Sequence, residues 1–147
     1  MAVGPFLASE DGTINSISCY SLTGSGQFKL AVYEGTPGVT AGPRPLVASS
    51  GAITITQVGW QTAAATGPIV KGRFYWICVF ADGSHSFAYN NTEGVWWRTT
   101  GGTFAAGFPA TWSSGSGTRL RGISIYLDYT PAAVDPCLLY TSPSPRD

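Results

Sequence analysis

Hydrophobic and polar residues alternate with a period of two over several short stretches of this chain. Residues 27–34 carry the clearest case. Phe28, Leu30 and Val32 fall on one face, and Lys29, Ala31 and Tyr33 on the other. Residues 119–129 repeat the pattern, with Ile123, Ile125, Leu127 and Tyr129 inward and Ser124, Tyr126 and Asp128 outward. Residues 73–81 are apolar on both faces: Phe74, Trp76, Cys78 and Phe80 against Tyr75, Ile77 and Val79. Such a strand is predicted to be central and covered twice.

Other segments read as strands between Gly, Pro, Ser and Asn clusters. Residues 3–8 form a first strand, which Pro5 demotes to an edge or a strand start. Residues 13–22 form a second. Ile17 and Cys19 share its face, and Ile14 joins them only if a bulge intervenes. Residues 46–50 and 52–57 flank a turn at Gly51. A polar connection then links Gly59-Trp60 to Pro68-Ile69-Val70. Residues 86–90 and 95–99 are two more strands, and 101–117 is a long Gly/Ser/aromatic loop. The total is roughly nine or ten strands with no sustained helical period. The predicted class is all-β, an antiparallel sandwich or barrel.

Composition narrows the function. Charged residues make up 11% of the chain and cancel to a net charge of zero, which argues against nucleic acid as a partner. No apolar run approaches a membrane span, and no signal peptide is visible at the start.

The order of segments resembles a broad group of jelly-roll β-sandwich modules. These occur in secreted bacterial and archaeal proteins and in phage virion proteins. The resemblance rests on Ile14-Asn15-Ser16-Ile17-Ser18-Cys19-Tyr20, Phe28-Lys29-Leu30-Ala31-Val32-Tyr33, Pro45-Leu46-Val47-Ala48-Ser49-Ser50 and Val58-Gly59-Trp60. It continues through Gly72-Arg73-Phe74-Tyr75-Trp76-Ile77-Cys78-Val79 and Arg121-Gly122-Ile123-Ser124-Ile125-Tyr126. It implies a jelly-roll-like fold and a non-catalytic role, and some such modules resemble carbohydrate-binding modules. Cys19 and Cys78 fall where that pattern has aliphatic residues, so they read as small buried thiols, with a disulfide between them left open.

The final residues, Cys137-Leu138-Leu139-Tyr140-Thr141-Ser142-Pro143-Ser144-Pro145-Arg146-Asp147, resemble one reading frame of a transposase-type sequencing-library adapter. The expected organisation is a sandwich over 1–130, a linker over 131–136 and an adapter-derived tail over 137–147. The domain is then expected to be one module of a larger extracellular, surface or virion protein.

Catalytic chemistry finds little footing. The single histidine, His85, is expected on an exposed hairpin loop, and no serine has a nucleophile-elbow context. Glu10, Asp11, Glu34, Asp82, Glu93 and Asp128 show no spacing that marks a catalytic pair. The chain is therefore read as a non-enzyme without a cofactor. Calcium stays open at Glu10-Asp11-Gly12, or at Asp82 with Asp128.

The functional hint is aromatic. Phe87, Tyr89, Trp96, Trp97, Phe104, Phe108 and Trp112 crowd residues 86–112. Adjacent Trp96 and Trp97 in one strand must point to opposite faces. Flat apolar rings with a polar N–H suit sugar rings and protein partners alike. The expected ligand site is Tyr89, Trp96, Trp97 and Trp112, with Asn90 and Arg98 as hydrogen-bonding neighbours. The expected partner is a glycan or another protein surface. One alternative is that Phe104, Phe108 and Trp112 merely pin the long loop onto the sandwich; another is a structural subunit of a virion or extracellular assembly, with the same aromatics buried between protomers.

Overall fold

The computed structural model describes residues 2–35, 44–97, 104–112 and 118–133, with residues 2–3, 89–97 and 118–123 described through their backbone alone. These residues form eleven strands and no helix, arranged as two antiparallel sheets. The larger sheet has the order β10 (Thr118–Ile123), β8 (Tyr89–Trp97), β1 (Ala2–Leu7), β7 (Phe74–Ala81), β3 (Gln27–Glu34), β4 (Arg44–Ser49), β9 (Thr111–Trp112). The two-residue β5 (Ile53–Thr54) pairs with β3 outside this path. The smaller sheet has the order β11 (Ile125–Pro131), β2 (Gly12–Ser21), β6 (Gly59–Ile69). The class is an all-β sandwich, as the alternation predicts.

The chain passes between the layers as paired ribbons. β2 pairs with β6 in the small sheet, and β3 with β7 in the large one. The ribbons β2–β3 and β6–β7 therefore run side by side through both layers. The closing segment also changes sheet. β10 ends at Ile123 and β11 begins at Ile125, with Ser124 N–H donating to Ala88 O and Ser124 O accepting from Tyr20 N–H. Strands that bend from one sheet into the other commonly form sandwich corners.

Two buried clusters flank the large sheet. Ile14, Ile17 and Cys19 of β2 meet Phe28, Leu30, Val32, Tyr75, Ile77 and Val79 between the sheets. Each large aliphatic or aromatic side chain buried there stabilises by about 1.5–3 kcal/mol. On the outer face, Ala31, Tyr33, Trp76, Cys78 and Trp112 form a second cluster, with Leu46 and Phe108 packed on it. β3 and β7 are thus buried on both faces, as the sequence of β7 predicts. Ile14 joins the core through an irregularity in β2, where Ser16 pairs with Asp128 and Ile14 with Tyr129. The extra residue, Asn15, resets the alternation.

Four local expectations are corrected. β1 lies inside the large sheet between β7 and β8, not at its edge. Pro5 is tolerated because the β1–β7 register shifts between Val3 and Phe6. The polar connection after Trp60 is an eleven-residue strand, β6. Its Ala and Thr side chains carry little strand signal, and pairing with β2 recruits it. Residues 89–97 form one strand rather than parts of two. β8 advances from Asn90 to Val95 while β10 moves only from Gly122 to Leu120, so the Asn/Gly turn signal is absorbed as a bulge. Lastly, β11 runs to Pro131 and Ala132 N–H donates to Asp11 O, beyond the expected boundary at 130. The rest of the expected linker and the adapter-like tail lie outside the described residues.

Candidate functional site

The aromatic loop expected to bind ligand folds back onto the protein. Trp112 is 3% exposed and cannot present a ring to solvent. It lies opposite Arg44 across the β4–β9 pair, and the Arg44 guanidinium sits 4.6 Å from the Trp76 ring and 4.9 Å from the Trp112 ring. A guanidinium between two indoles is held by cation–π attraction, strengthened by burial. Phe108 meets Tyr33 and Phe80 edge-on at 6.3 and 5.7 Å. Tyr33 OH donates to Pro109 O at 2.7 Å, and Lys29 Nζ to Phe104 O at 2.7 Å. Phe104, Phe108 and Trp112 therefore clamp the segment over the outer face of β3 and β7. Phe87 packs on the inter-sheet core, 5.8 Å from Phe28.

The remaining expected residues are placed only in part. Tyr89, Asn90, Trp96 and Trp97 belong to β8, with Tyr89 opposite Ile123 and Trp96 between Val3 and Arg119. Their side chains, and the whole of Arg98, lie outside the described residues.

A different aromatic group faces solvent. It stands on the outer side of the three-stranded sheet, where every second residue points away from the core. Tyr20 on β2 is the register partner of Trp60 on β6, and Tyr126 on the edge strand β11 is opposite Ser18. Their rings meet across the sheet: Tyr20 and Trp60 at 5.5 Å, Trp60 and Tyr126 at 5.0 Å. Trp60 and Tyr126 remain 49% and 48% exposed. Ser18 is small and fully buried, and its hydroxyl bonds that of Thr62 at 2.7 Å. Leu22 and Val58, beyond the last pair Ser21 and Gly59, are exposed as well. Sequence clustering missed this group because Tyr20, Trp60 and Tyr126 are far apart along the chain. The outward assignment of Tyr126 was the available signal.

A cleft of about 290 Å³ opens beside β11, between the layers. It follows from unequal sheets: three strands cannot cover the inner face of the much wider sheet. Val32, Ile69, Tyr75 and Ile77 form its base, while Phe6, Leu7, Ile125 and Leu127 wall it. Tyr126 and Tyr129 also line it, the Tyr129 OH donating to Glu10 Oε1 at 2.7 Å.

The ionisable groups are engaged internally. His85 is not exposed on its loop: its side chain is 4% exposed, with Nε2 2.7 Å from Asp82 Oδ1. The ring lies against Gly26, whose φ of +101° and missing Cβ make room for it. The His85 hydrogen bond, helped by a backbone bond from Gln27, holds the Asp82 carboxyl below its usual range. Asp11 Oδ1 accepts from Lys71 N–H at 2.7 Å, and Asp128 Oδ2 from Asn15 Nδ2 at 3.2 Å. Asp82 follows the end of β7 in the large sheet and Asp128 lies on β11 in the small one, and no three metal-ligating side chains converge among the described residues. Cys19 faces the inter-sheet core and Cys78 the outer cluster, each a free thiol. Burial pushes both thiols up to about 12.

Compared with known proteins, the chain matches no family model, no curated protein and no solved structure.

Proposed function

We propose that this domain is a non-catalytic binding or adhesion module that takes carbohydrate on the face formed by Tyr20, Trp60 and Tyr126. It would serve a larger extracellular, surface or virion protein. The observation that carries the reading is a half-exposed tryptophan held edge-on by two tyrosines on a regular sheet. Such a ring is rigid, apolar on its face and bordered by polar groups, which suits the C–H face of a sugar. Thr62 and Asp128 lie exposed on the same side of the sheet as hydrogen-bonding neighbours. The side-by-side ribbons β2–β3 and β6–β7 support reading the sandwich as jelly-roll-like. The non-catalytic reading is supported by His85 and the described carboxylates being turned into internal hydrogen bonds.

A glycan array with the wild-type chain and Trp60→Ala tests the proposal. Wild type is expected to bind, and Trp60→Ala to weaken that binding by about tenfold or more, a loss near 1.4 kcal/mol. Equal binding by a folded Trp60→Ala variant would remove the face from consideration.

Exposed Leu22 and Val58 beside Trp60 favour a second reading, in which this face packs against another subunit of an assembly. Light scattering after size exclusion separates the two. A monomer at high concentration supports the glycan face, and a discrete oligomer dispersed by Trp60→Ala supports the assembly contact.

A further inference from the structure

We propose that the ligand is a glycoconjugate with an apolar aglycone: its sugar ring lies on Trp60, and its apolar group passes round Tyr126 into the cleft between the sheets. The inference rests on the carbohydrate reading of the aromatic face.

Ring geometry limits what the face can hold. Tyr20 and Tyr126 stand at 83° and 62° to the Trp60 plane. Three rings so tilted offer no common plane, so a flat polysaccharide ribbon cannot lie across them. They leave a seat for one sugar ring, and a single stacked ring gives modest affinity. A second contact region is therefore needed for tight binding.

The cleft supplies it. Its volume of about 290 Å³ lies at the lower end of small-molecule sites, and its walls are apolar. Phe6 and Leu7 stand at the cleft 45% and 60% exposed, so apolar surface there is still in water. The cleft and the aromatic face share Tyr126, and β11, the edge strand that carries it, lies between the two; from Trp60 on β6 the path to the cleft crosses β2 and β11. Along β11 the cleft runs from Ile125 to Tyr129, about 13 Å at the usual strand rise. The Tyr129–Glu10 hydrogen bond gives the Tyr129 end a polar character. An alkyl or aryl group of moderate length fits this space, and a longer one would press against that polar pair.

The test is isothermal titration of the full chain with methyl and octyl β-glucosides, methyl and octyl β-galactosides, and octanoate, all below micelle formation. At least one octyl glycoside is expected to bind about tenfold or more tighter than its methyl counterpart, the gain from burying roughly two methylenes. Octanoate should bind no tighter than the methyl glycosides. Leu7→Glu, at an exposed position, should abolish the octyl gain while leaving methyl glycoside binding unchanged. Phe6→Ser should reduce that gain if Leu7→Glu does not fold. Equal behaviour of octyl and methyl glycosides, including no binding by either, would overturn the inference. So would octanoate binding as tightly as an octyl glycoside, or an octyl gain that survives both variants. The carbohydrate reading is judged separately by Trp60→Ala on the array, and it stands if sugars bind there without an alkyl gain.

Discussion

Trp112→Ala separates a structural clamp from a ligand platform. The indole is 3% exposed and touches Tyr33, Trp76 and Arg44, with ring centroids at 5.9 and 6.2 Å and the guanidinium at 4.9 Å. Removing a buried tryptophan side chain costs about 3–5 kcal/mol, through lost burial and the cavity left behind. The substitution also takes away one of the two rings that flank Arg44, whose burial lowers its pKa. A loss of this size is a large part of the 5–15 kcal/mol typical of whole domains. For a chain of this length it corresponds to a melting-temperature drop of roughly 10–20 °C. Trp60→Ala, at a half-exposed site, should cost no more than about 1 kcal/mol. Urea titration followed by circular dichroism measures both, with the slope m checked for constancy. If Trp112→Ala unfolds within about 1 kcal/mol of wild type, the clamp does not hold the outer face as described.

Three further outcomes follow from single contacts. In a Cys137→Ser background, Cys19 and Cys78 should resist thiol reagents in the native state and react only on unfolding, because burial pushes both thiols up to about 12; fast native labelling of either would contradict its placement. Gly67→Ala should destabilise by about 1–3 kcal/mol in a melting experiment, since a Cβ there collides with the Val47 carbonyl oxygen, a backbone atom that cannot turn aside. Asp82 has a carboxyl pKa lowered chiefly by His85, so its contribution is present above the unfolded-state pKa and lost as pH falls through the folded value. Asp82→Asn should therefore melt below wild type at pH 7, with the gap narrowing as pH falls below the ordinary carboxylate range, and a gap that does not change with pH would count against this linkage.

The sequence revealed elements wherever the side chains themselves signalled alternation. β3 carries large apolar residues at every second position and β7 at nearly every position, so the inner face of β3 and the double burial of β7 are legible in the sequence. The bulge at Asn15 was legible for the same reason, because Ile14 needed one to reach the core. β6 was hidden because Ala63, Ala64, Ala65 and Gly67 have no marked preference, and its strand form comes from pairing with β2. Pro5 signalled an edge, but a register shift satisfies it within the sheet. Of the expected site residues, Trp112 departs from the platform reading on a related ground and follows the alternative, a loop pinned onto the sandwich. Aromatics close in sequence between 86 and 112 suggested one platform, yet Phe104, Phe108 and Trp112 turn inward. Tyr20, Trp60 and Tyr126 meet only because β2 pairs with both β6 and β11.

The place of binding can be read from the indole N–H resonances of the five tryptophans during titration with a glycan bound on the array or with octyl glucoside. The Trp60 resonance is expected to shift in proportion to occupancy. Those of buried Trp76 and Trp112 should stay within the scatter of the protein control. Saturable binding with an unmoved Trp60 resonance, and shifts confined to Trp96 and Trp97, would place the ligand elsewhere and refute the aromatic face of the three-stranded sheet as the site.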